Sequence, residues 1–363
     1  MPAFLTGALS GRIGDDLGFG EGAAGASVAA FFVGAGLMAV PMSRITERVG
    51  PAVALRVGSA VSGVCALVVA AAVSSWWQLT TVLVVAGSAV GLVDTGAARA
   101  FGDAVPPSRH GLAFGAKEAS VPAASLAAGL SIPFLVGAFG WRSAFVAGAA
   151  LTPVVWALVP RLPGGPPPVA AAAGRAHRAP LVLFAGGVAV GCGAATAAST
   201  LLVPAVADRG WEEGDAGLLL AGASVCSIAV RIGAGARGDR DPRSTWAMLG
   251  TLLAVGAVGA VLLASTSAGV AGVVGAVAVI GCGWGWTGLA FQTAVRVGRD
   301  RPAASAATVL TGLAVGGAVG PAAFGAVADV RSYAAAWAMA AVALVVGAAA
   351  IVASRRWLEP GKS

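Results

Sequence analysis

Three ionisable residues interrupt long apolar stretches of this 363-residue chain. Asp94 lies in one such stretch, and the adjacent residues Lys117 and Glu118 lie in the next. A charge within a membrane span is costly unless it is paired or faces water, so such residues are expected to serve a function. Neighbouring residues on a helix point ~100° apart. We therefore expect Lys117 to extend to the lipid headgroups, while Glu118 faces protein or a cavity as a candidate for substrate binding or proton coupling.

Asp94 is expected near the cytoplasmic end of its span. The helix enters from the outside near Trp77, and a rise of 1.5 Å per residue places Asp94 ~26 Å along it. Because acids within membranes pair with cations, we expect Arg48 or Arg99 to be its partner in a cytoplasmic gate. Direct binding of a proton or of substrate by Asp94 is the alternative.

Polar and aromatic residues near mid-membrane are further candidates for substrate contact. Trp284 and Trp286 are ~200° apart around one helix, so at most one of them lines a cavity. We favour the face that carries Trp284 and Gln292, although ordinary helix packing explains either tryptophan. On an earlier span the candidates are the hydroxyls of Thr196, Ser199 and Thr200. The alternative for these hydroxyls is hydrogen bonding to the preceding helical turn.

The composition indicates that membrane-spanning helices position these residues. Hydrophobic residues make up 58% of the chain and charged residues only 11%, with a mean hydropathy of +0.86. A soluble domain carries about 25% charged residues. Stretches of about 20 apolar residues, the length of a spanning helix, occur near 22–42, 53–73, 77–98, 112–139, 143–160, 180–207, 214–232, 246–266, 269–295, 303–327 and 333–353. The sequence therefore predicts an all-α membrane protein with eleven full spans.

One polar loop occurs twice between apolar stretches, at residues 43–50 and 235–240. Its repetition indicates a duplicated bundle. Each copy carries an acid followed by an arginine, as Glu47–Arg48 and Asp239–Arg240. We predict an ion-pair cluster in which Glu47 and Arg48 meet Asp94 or Arg99, with a matching cluster at Asp239 and Arg240.

The repeat also divides the chain into three parts. Residues 1–160 form a first bundle, 161–180 a Pro- and Gly-rich linker, and 181–363 a second bundle. The first nine residues are too short to span a membrane. We expect residues 1–11 to form the outer half of a first helix whose beginning lies outside this sequence.

The distribution of charge sets the expected orientation and excludes nucleic acid as a partner. Of the 23 Lys and Arg residues, 19 lie on one side of the alternating spans, Lys117 and Arg231 counted among them. By the positive-inside rule this side, with the repeated loops, the linker and the C-terminus, is cytoplasmic. The cations form no single basic stripe. The four cysteines lie singly within apolar stretches and predict no metal site.

The loop motifs resemble the major facilitator superfamily. The superfamily's loop between its second and third helices reads Gly-x-x-x-Asp-Arg-x-Gly-x-Arg-Arg. In the first copy Glu47, Arg48 and Gly50 fit, but Ser43 replaces the first glycine and the trailing basic pair is reduced to Arg56. The second copy fits better at its core, through Gly235, Asp239 and Arg240. The stretch Gly140-Trp141-Arg142 is similar to the loop before the sixth span, and Gly312, Gly316, Gly320 and Pro321 are similar to the glycine-rich eleventh span. The resemblance implies two pseudo-symmetric six-helix bundles.

The same resemblance implies a secondary transporter of the cytoplasmic membrane, moving a small organic solute by alternating access. No phosphate-binding loop for ATP is present. Asp94 or Glu118 would couple transport to protons, and facilitated diffusion is the alternative. A membrane enzyme is disfavoured because the only histidines, His110 and His177, lie in loops far apart. A non-transporting remnant or receptor is the third hypothesis. We expect a monomer with no cofactor.

Overall fold

The computed structural model describes residues 1–159, 178–265, 269–297 and 302–358, which are helical almost throughout. The all-α class is therefore confirmed. The helices in chain order are α1 (Pro2–Ala8, continued by Ser10–Leu17), α2 (Glu21–Val49), α3 (Pro51–Ala72), α4 (Trp76–Ala104), α5 (His110–Phe139), α6 (Arg142–Leu158), α7 (Arg178–Ala207), α8 (Glu213–Arg240), α9 (Thr245–Ser265), α10 (Val270–Val297), α11 (Pro302–Val330) and α12 (Tyr333–Leu358).

Most of these helices match the length of a bilayer. Within the described ranges, ten are long and apolar enough to cross a membrane. Helix α6, predicted as an eleventh full span, is shorter at 17 residues. Large apolar side chains such as Leu37, Val258 and Val319 are more than half exposed on the outer faces of their helices. Such exposure suits contact with lipid tails, which are as apolar as these side chains.

The N-terminal residues pack inside the bundle as a helix. All seven residues of Pro2–Ala8 are buried, and this segment contacts α2, α5, α6 and α7. The helix continues to Leu17, so the boundary predicted near residue 11 is wrong. The added segment, Ser10–Leu17, is polar and half-exposed. The predicted boundary falls too early because this segment lacks the apolar pattern that predicts the other helices. The predicted linker lies outside the described residues except for its last three, which begin α7.

Glycines allow the closest helix contacts. Gly312, Gly316 and Gly320 lie on one face of α11, where a methyl group added to any of them would overlap a main-chain carbonyl of α7. At Gly312 the added carbon would lie 2.6 Å from the carbonyl oxygen of Ala185. The four-residue spacing seen in the sequence therefore marks a real packing face.

The first half of the chain (α1–α6) meets the second half (α7–α12) mainly through four pairs of helices. They are α2 with α11, α1 with α7, and α5 with both α8 and α10. The α5–α8 contact is close because glycines face each other, Gly111 against Gly235 and Gly129 against Gly217. We call the end of the molecule that holds Gly111 and Gly235 the motif end, since the repeated loops lie there.

Candidate functional site

Four charged side chains form a continuous network that links α4, α5 and α8. Lys117 Nζ lies 3.0 Å from Asp94 Oδ1 and 3.0 Å from Glu118 Oε1, and Arg231 Nη1 lies 3.4 Å from Glu118 Oε2. Two cations and two carboxylates leave the network formally neutral. Arg231 belongs to the second half of the chain, so its pairing with Glu118 crosses the boundary between the halves.

A proline creates part of this link. The main-chain carbonyl of Glu118 would normally accept a hydrogen bond from the amide four residues later in the helix, but that residue is Pro122, which has no N–H. Arg231 Nη1 donates to this carbonyl instead, at 2.9 Å. The helix is also interrupted at Ala119, directly after Glu118. Glu118 thus offers both its carboxylate and its main-chain oxygen to the guanidinium.

The network is shielded from solvent, most strongly at the interface between the halves. Arg231 is 1% exposed and Glu118 6%, whereas the Asp94 side chain is 34% exposed. Every hydrogen bond of the Arg231 guanidinium uses Nη1, which also donates to Thr287 Oγ1 at 2.5 Å. Nε and Nη2 of Arg231 are buried without a partner among the described residues. A buried cation with unpartnered donors is unfavourable unless another group binds it.

Aromatic rings of α10 and α1 surround the cations. The Trp284 ring centroid lies 5.3 Å from Arg231 Cζ, and the Phe291 ring lies 5.4 Å from Lys117 Nζ, both within cation–π range. Phe4 of α1 packs against Trp284 with its centroid 5.8 Å away. Helix α10 is interrupted at residues 283–286, which places Trp284 in a short turn between helical segments. Such interruptions mark the binding sites of many transporters.

At the motif end, Asp239 joins the halves. Its carboxylate accepts hydrogen bonds from the amides of Gly111 (2.7 Å) and Leu112 (2.8 Å), which begin α5, and from Gln292 Nε2 of α10 (2.9 Å). The first amides of a helix lack partners within the helix, and the helix dipole favours an anion there. Asp239 therefore caps a helix of the opposite half.

At the opposite end, further polar contacts join or brace the halves. Arg12 of α1 pairs with Glu213 of α8, and the Gly22 amide donates to Asp329 Oδ2 at 2.7 Å. Arg142 and the Trp141 indole donate to Asp16 (2.7 and 3.1 Å). These three residues line an open outer cavity of about 490 Å³, together with Arg12, Asp15 and Gly140. The two donors, Arg142 and Trp141, hold the pKa of Asp16 below its usual range. The buried network is thus enclosed between contacts at both ends.

The structure corrects the partner predicted for Asp94. Asp94 pairs with Lys117 rather than with Arg48 or Arg99. Glu47 and Arg48 lie exposed at the end of α2, and Arg99 Nη1 donates to the main-chain oxygen of Glu47 at 3.4 Å. The predicted matching cluster also differs, because Asp239 binds amides rather than an arginine, and Arg240 ends α8.

Lys117 and Arg231 are the two network residues that the sequence-based predictions place elsewhere. The sequence predicts Lys117 at the headgroups, but its side chain turns inward to reach both carboxylates. The count of cations by side of the membrane places Arg231 with the loop cations. The sequence does carry a signal for Arg231. This arginine lies within the apolar stretch 214–232, nine residues before the end of the repeated loop at residue 240. Glu118 faces protein as predicted.

The remaining candidates separate into two groups. Trp284 lies at the network, but Gln292 lies at the motif end with Asp239, so the two do not form one site. Trp286 packs inside the second half and donates to the Gly283 carbonyl at 2.7 Å. The hydroxyls of Thr200 and Ser199 donate to the main-chain oxygen of Thr196 in the preceding helical turn. This is the bonding predicted from the sequence as the alternative to substrate contact.

Comparison with known proteins agrees with this architecture. The family model described as Major Facilitator Superfamily matches residues 2–307. A solved structure titled "Crystal structure of nucleoside transporter NupG (D323A mutant)" superposes with a TM-score of 0.71 over 97% of this chain and 98% of that chain, at 13% sequence identity. At that identity the likeness concerns the fold. No curated protein sequence matches this chain. The chain belongs to the major facilitator superfamily and is a multi-pass membrane transporter.

Proposed function

We propose that the protein is a secondary active transporter that carries a small organic solute across the cytoplasmic membrane by alternating access. The observation that carries the proposal is the Glu118–Arg231 pair, a buried ionic link between the two halves. The halves, residues 1–160 and 181–363, would rock against each other about the glycine-lined contacts. The contacts at the two ends would then open in turn, exposing the network first to one side and then to the other.

Protons would couple to this movement through Glu118. The charged groups around it are Lys117 on its own helix, Asp94 of α4 and Arg231 of α8, with the Cys192 thiol of α7 nearby. Protonation of Glu118 would remove the anion that holds Arg231 and weaken the α5–α8 contact. The neutral acid would also leave an excess positive charge, which favours a change of state or the binding of an anion.

The proposed orientation places the motif end in the cytoplasm. Without Lys117 and Arg231, which lie inside the bundle, the count of cations remains 17 against 4 in favour of that end. The C-terminus would follow it into the cytoplasm. We propose that a single chain is the transporting unit, because both carboxylates and both cations of the network come from one copy.

Transport by reconstituted protein tests this proposal. Proteoliposomes containing a pH-sensitive dye are given, one at a time, amino acids, sugars, nucleosides, monocarboxylates and amines. At least one solute should change the internal pH faster than in protein-free vesicles, which control for unassisted diffusion. Glu118→Gln should abolish the proton movement while retaining exchange of that solute between the two sides. Asp15→Asn, an exposed carboxylate, is the matched control and should behave as wild type.

Two results would contradict the proposal. If no solute crosses, the fold serves a non-transporting role such as a receptor. If Glu118→Gln still moves protons with the solute, coupling belongs to another group.

A further inference from the structure

One edge of the buried Arg231 guanidinium makes no hydrogen bond within the described part of the chain. Nη1 makes the hydrogen bonds to Glu118 and Thr287, while Nε and Nη2 have no partner among the described residues. Nε and Nη2 lie on the same side of the planar group, and their N–H bonds run parallel. This spacing matches the two oxygens of a carboxylate, which a guanidinium binds through two parallel hydrogen bonds.

We propose that this edge binds the carboxylate of a small monocarboxylic acid, which is the transported solute. The inference rests on the proposed function and names its substrate class. The apolar body of the solute would lie against Trp284, whose ring is 5.3 Å from the guanidinium carbon, and near Phe4, which packs on that ring. The site therefore offers one anion-binding edge with an aromatic surface beside it.

The charge balance of the network selects a singly charged anion. Lys117 is already engaged by Asp94 and Glu118, so Arg231 supplies the available donors. A bound monocarboxylate gives the neutral network one negative charge, and one proton taken up by the Glu118 carboxylate restores neutrality. One proton would thus accompany each carboxylate. A dicarboxylate would bring a second charge into the buried site with no cation to pair it, which is costly.

Ligand binding to purified protein tests the substrate class without requiring transport. The melting temperature in detergent is measured against increasing concentrations of propionate, lactate and benzoate. Benzamide serves as the neutral counterpart of benzoate, and fumarate as the dianion, because both of its carboxyl groups remain ionised at the two pH values used. Detergent also removes the unassisted diffusion of weak acids that complicates vesicle assays. At least one monocarboxylate should stabilise the protein more at pH 5.5 than at pH 8, whereas benzamide and fumarate should not.

Variants identify the binding group. Arg231→Lys keeps the charge but loses the paired donors, and should weaken the apparent Kd at least ~10-fold. Arg231→Gln alone leaves Glu118 without its arginine partner. The double variant Glu118→Gln/Arg231→Gln should fold, because Asp94 and Lys117 remain paired and the network stays neutral, and it should bind none of the acids.

The inference is overturned if no monocarboxylate stabilises the wild type, or if the double variant binds as well as the wild type does. Its failure is distinct from failure of the proposed function. Proton movement driven by a sugar, amine or nucleoside in proteoliposomes would retain the transporter and reject the carboxylate. Absence of proton movement with every solute, alongside carboxylate binding that depends on Arg231, would retain the site and reject coupled transport.

Discussion

Replacing Asp239 by asparagine should open the motif end. The carboxylate accepts three hydrogen bonds, from the Gly111 and Leu112 amides and from Gln292. Hydrogen bonds to a charged group contribute about 1.5–3 kcal/mol each, against about 0.5–1.5 kcal/mol for neutral pairs. Asparagine keeps one acceptor oxygen but loses the charge that favours a helix N-terminus.

We expect this substitution to destabilise the closed motif end by about 2 kcal/mol. Losing the charge assistance of the three bonds alone would cost about 3 kcal/mol, and the partial exposure of the site reduces that figure. A change of about 2 kcal/mol raises the fraction of open molecules roughly 30-fold, since about 1.4 kcal/mol corresponds to a factor of ten.

The native thiol of Cys192 reports this opening. It is 4% exposed and lies near Glu118 and Arg231. With the other three cysteines replaced by serine, its labelling rate with a maleimide should rise by about the same factor in Asp239→Asn. Asp241→Asn, an exposed carboxylate at the same end, is the matched control and should label at the wild-type rate. Equal rates in the two variants would refute the capping argument.

Three further predictions concern packing, pH and the proline. Gly320→Ala should destabilise the protein by about 1–3 kcal/mol in thermal or denaturant unfolding, because the added methyl overlaps α7; Gly186→Ala, which meets nothing within 4 Å, should be neutral. The pairing of Asp16 with Arg142 lowers the pKa of the acid, so its stabilisation is complete above the unfolded value of about 3.9 and is lost as the pH falls through the folded value. Asp16→Asn should therefore lower the melting temperature slightly above pH 5, where the wild type keeps this stabilisation, and should reduce the fall of the melting temperature below pH 4. Pro122→Ala supplies an amide that competes for the Glu118 carbonyl, and should slow solute uptake several-fold without lowering the melting temperature.

The fold was predictable because its signals are long and repeated. Stretches of about 20 apolar residues locate spanning helices with little dependence on tertiary detail. The glycines of α11 at four-residue spacing marked their packing face correctly. The end of α1 was not predicted because Ser10–Leu17 is helical but not apolar. This segment is held in place by tertiary contacts, such as the ion pair of Arg12 with Glu213, which the sequence does not show.

The partners within the site were not predictable from one sequence. Depth along a helix places Asp94 approximately, but the choice of Lys117 over Arg99 depends on how α4 is rotated against α5. The hydrogen bond from Arg231 to the Glu118 carbonyl has two requirements. A proline four residues later must leave the carbonyl without its helical donor, and a helix of the other half must bring the arginine to it. Each half contributes an incomplete set of groups, and only their packing completes the network.

The proposal that Glu118 controls the contact between the halves can be tested by a distance measurement. Spin labels replace Arg109, at the start of α5, and Arg237, near the end of α8, both exposed at the motif end. The native cysteines are replaced by serine so that only these two positions carry labels. Pulsed electron resonance then gives the distribution of distances at pH 8 and at pH 5. We predict mainly a short distance at pH 8, a growing long-distance population at pH 5, and the long-distance population at both values in Glu118→Gln. A single, unchanged distance at both pH values and in the variant would contradict control of this contact by Glu118.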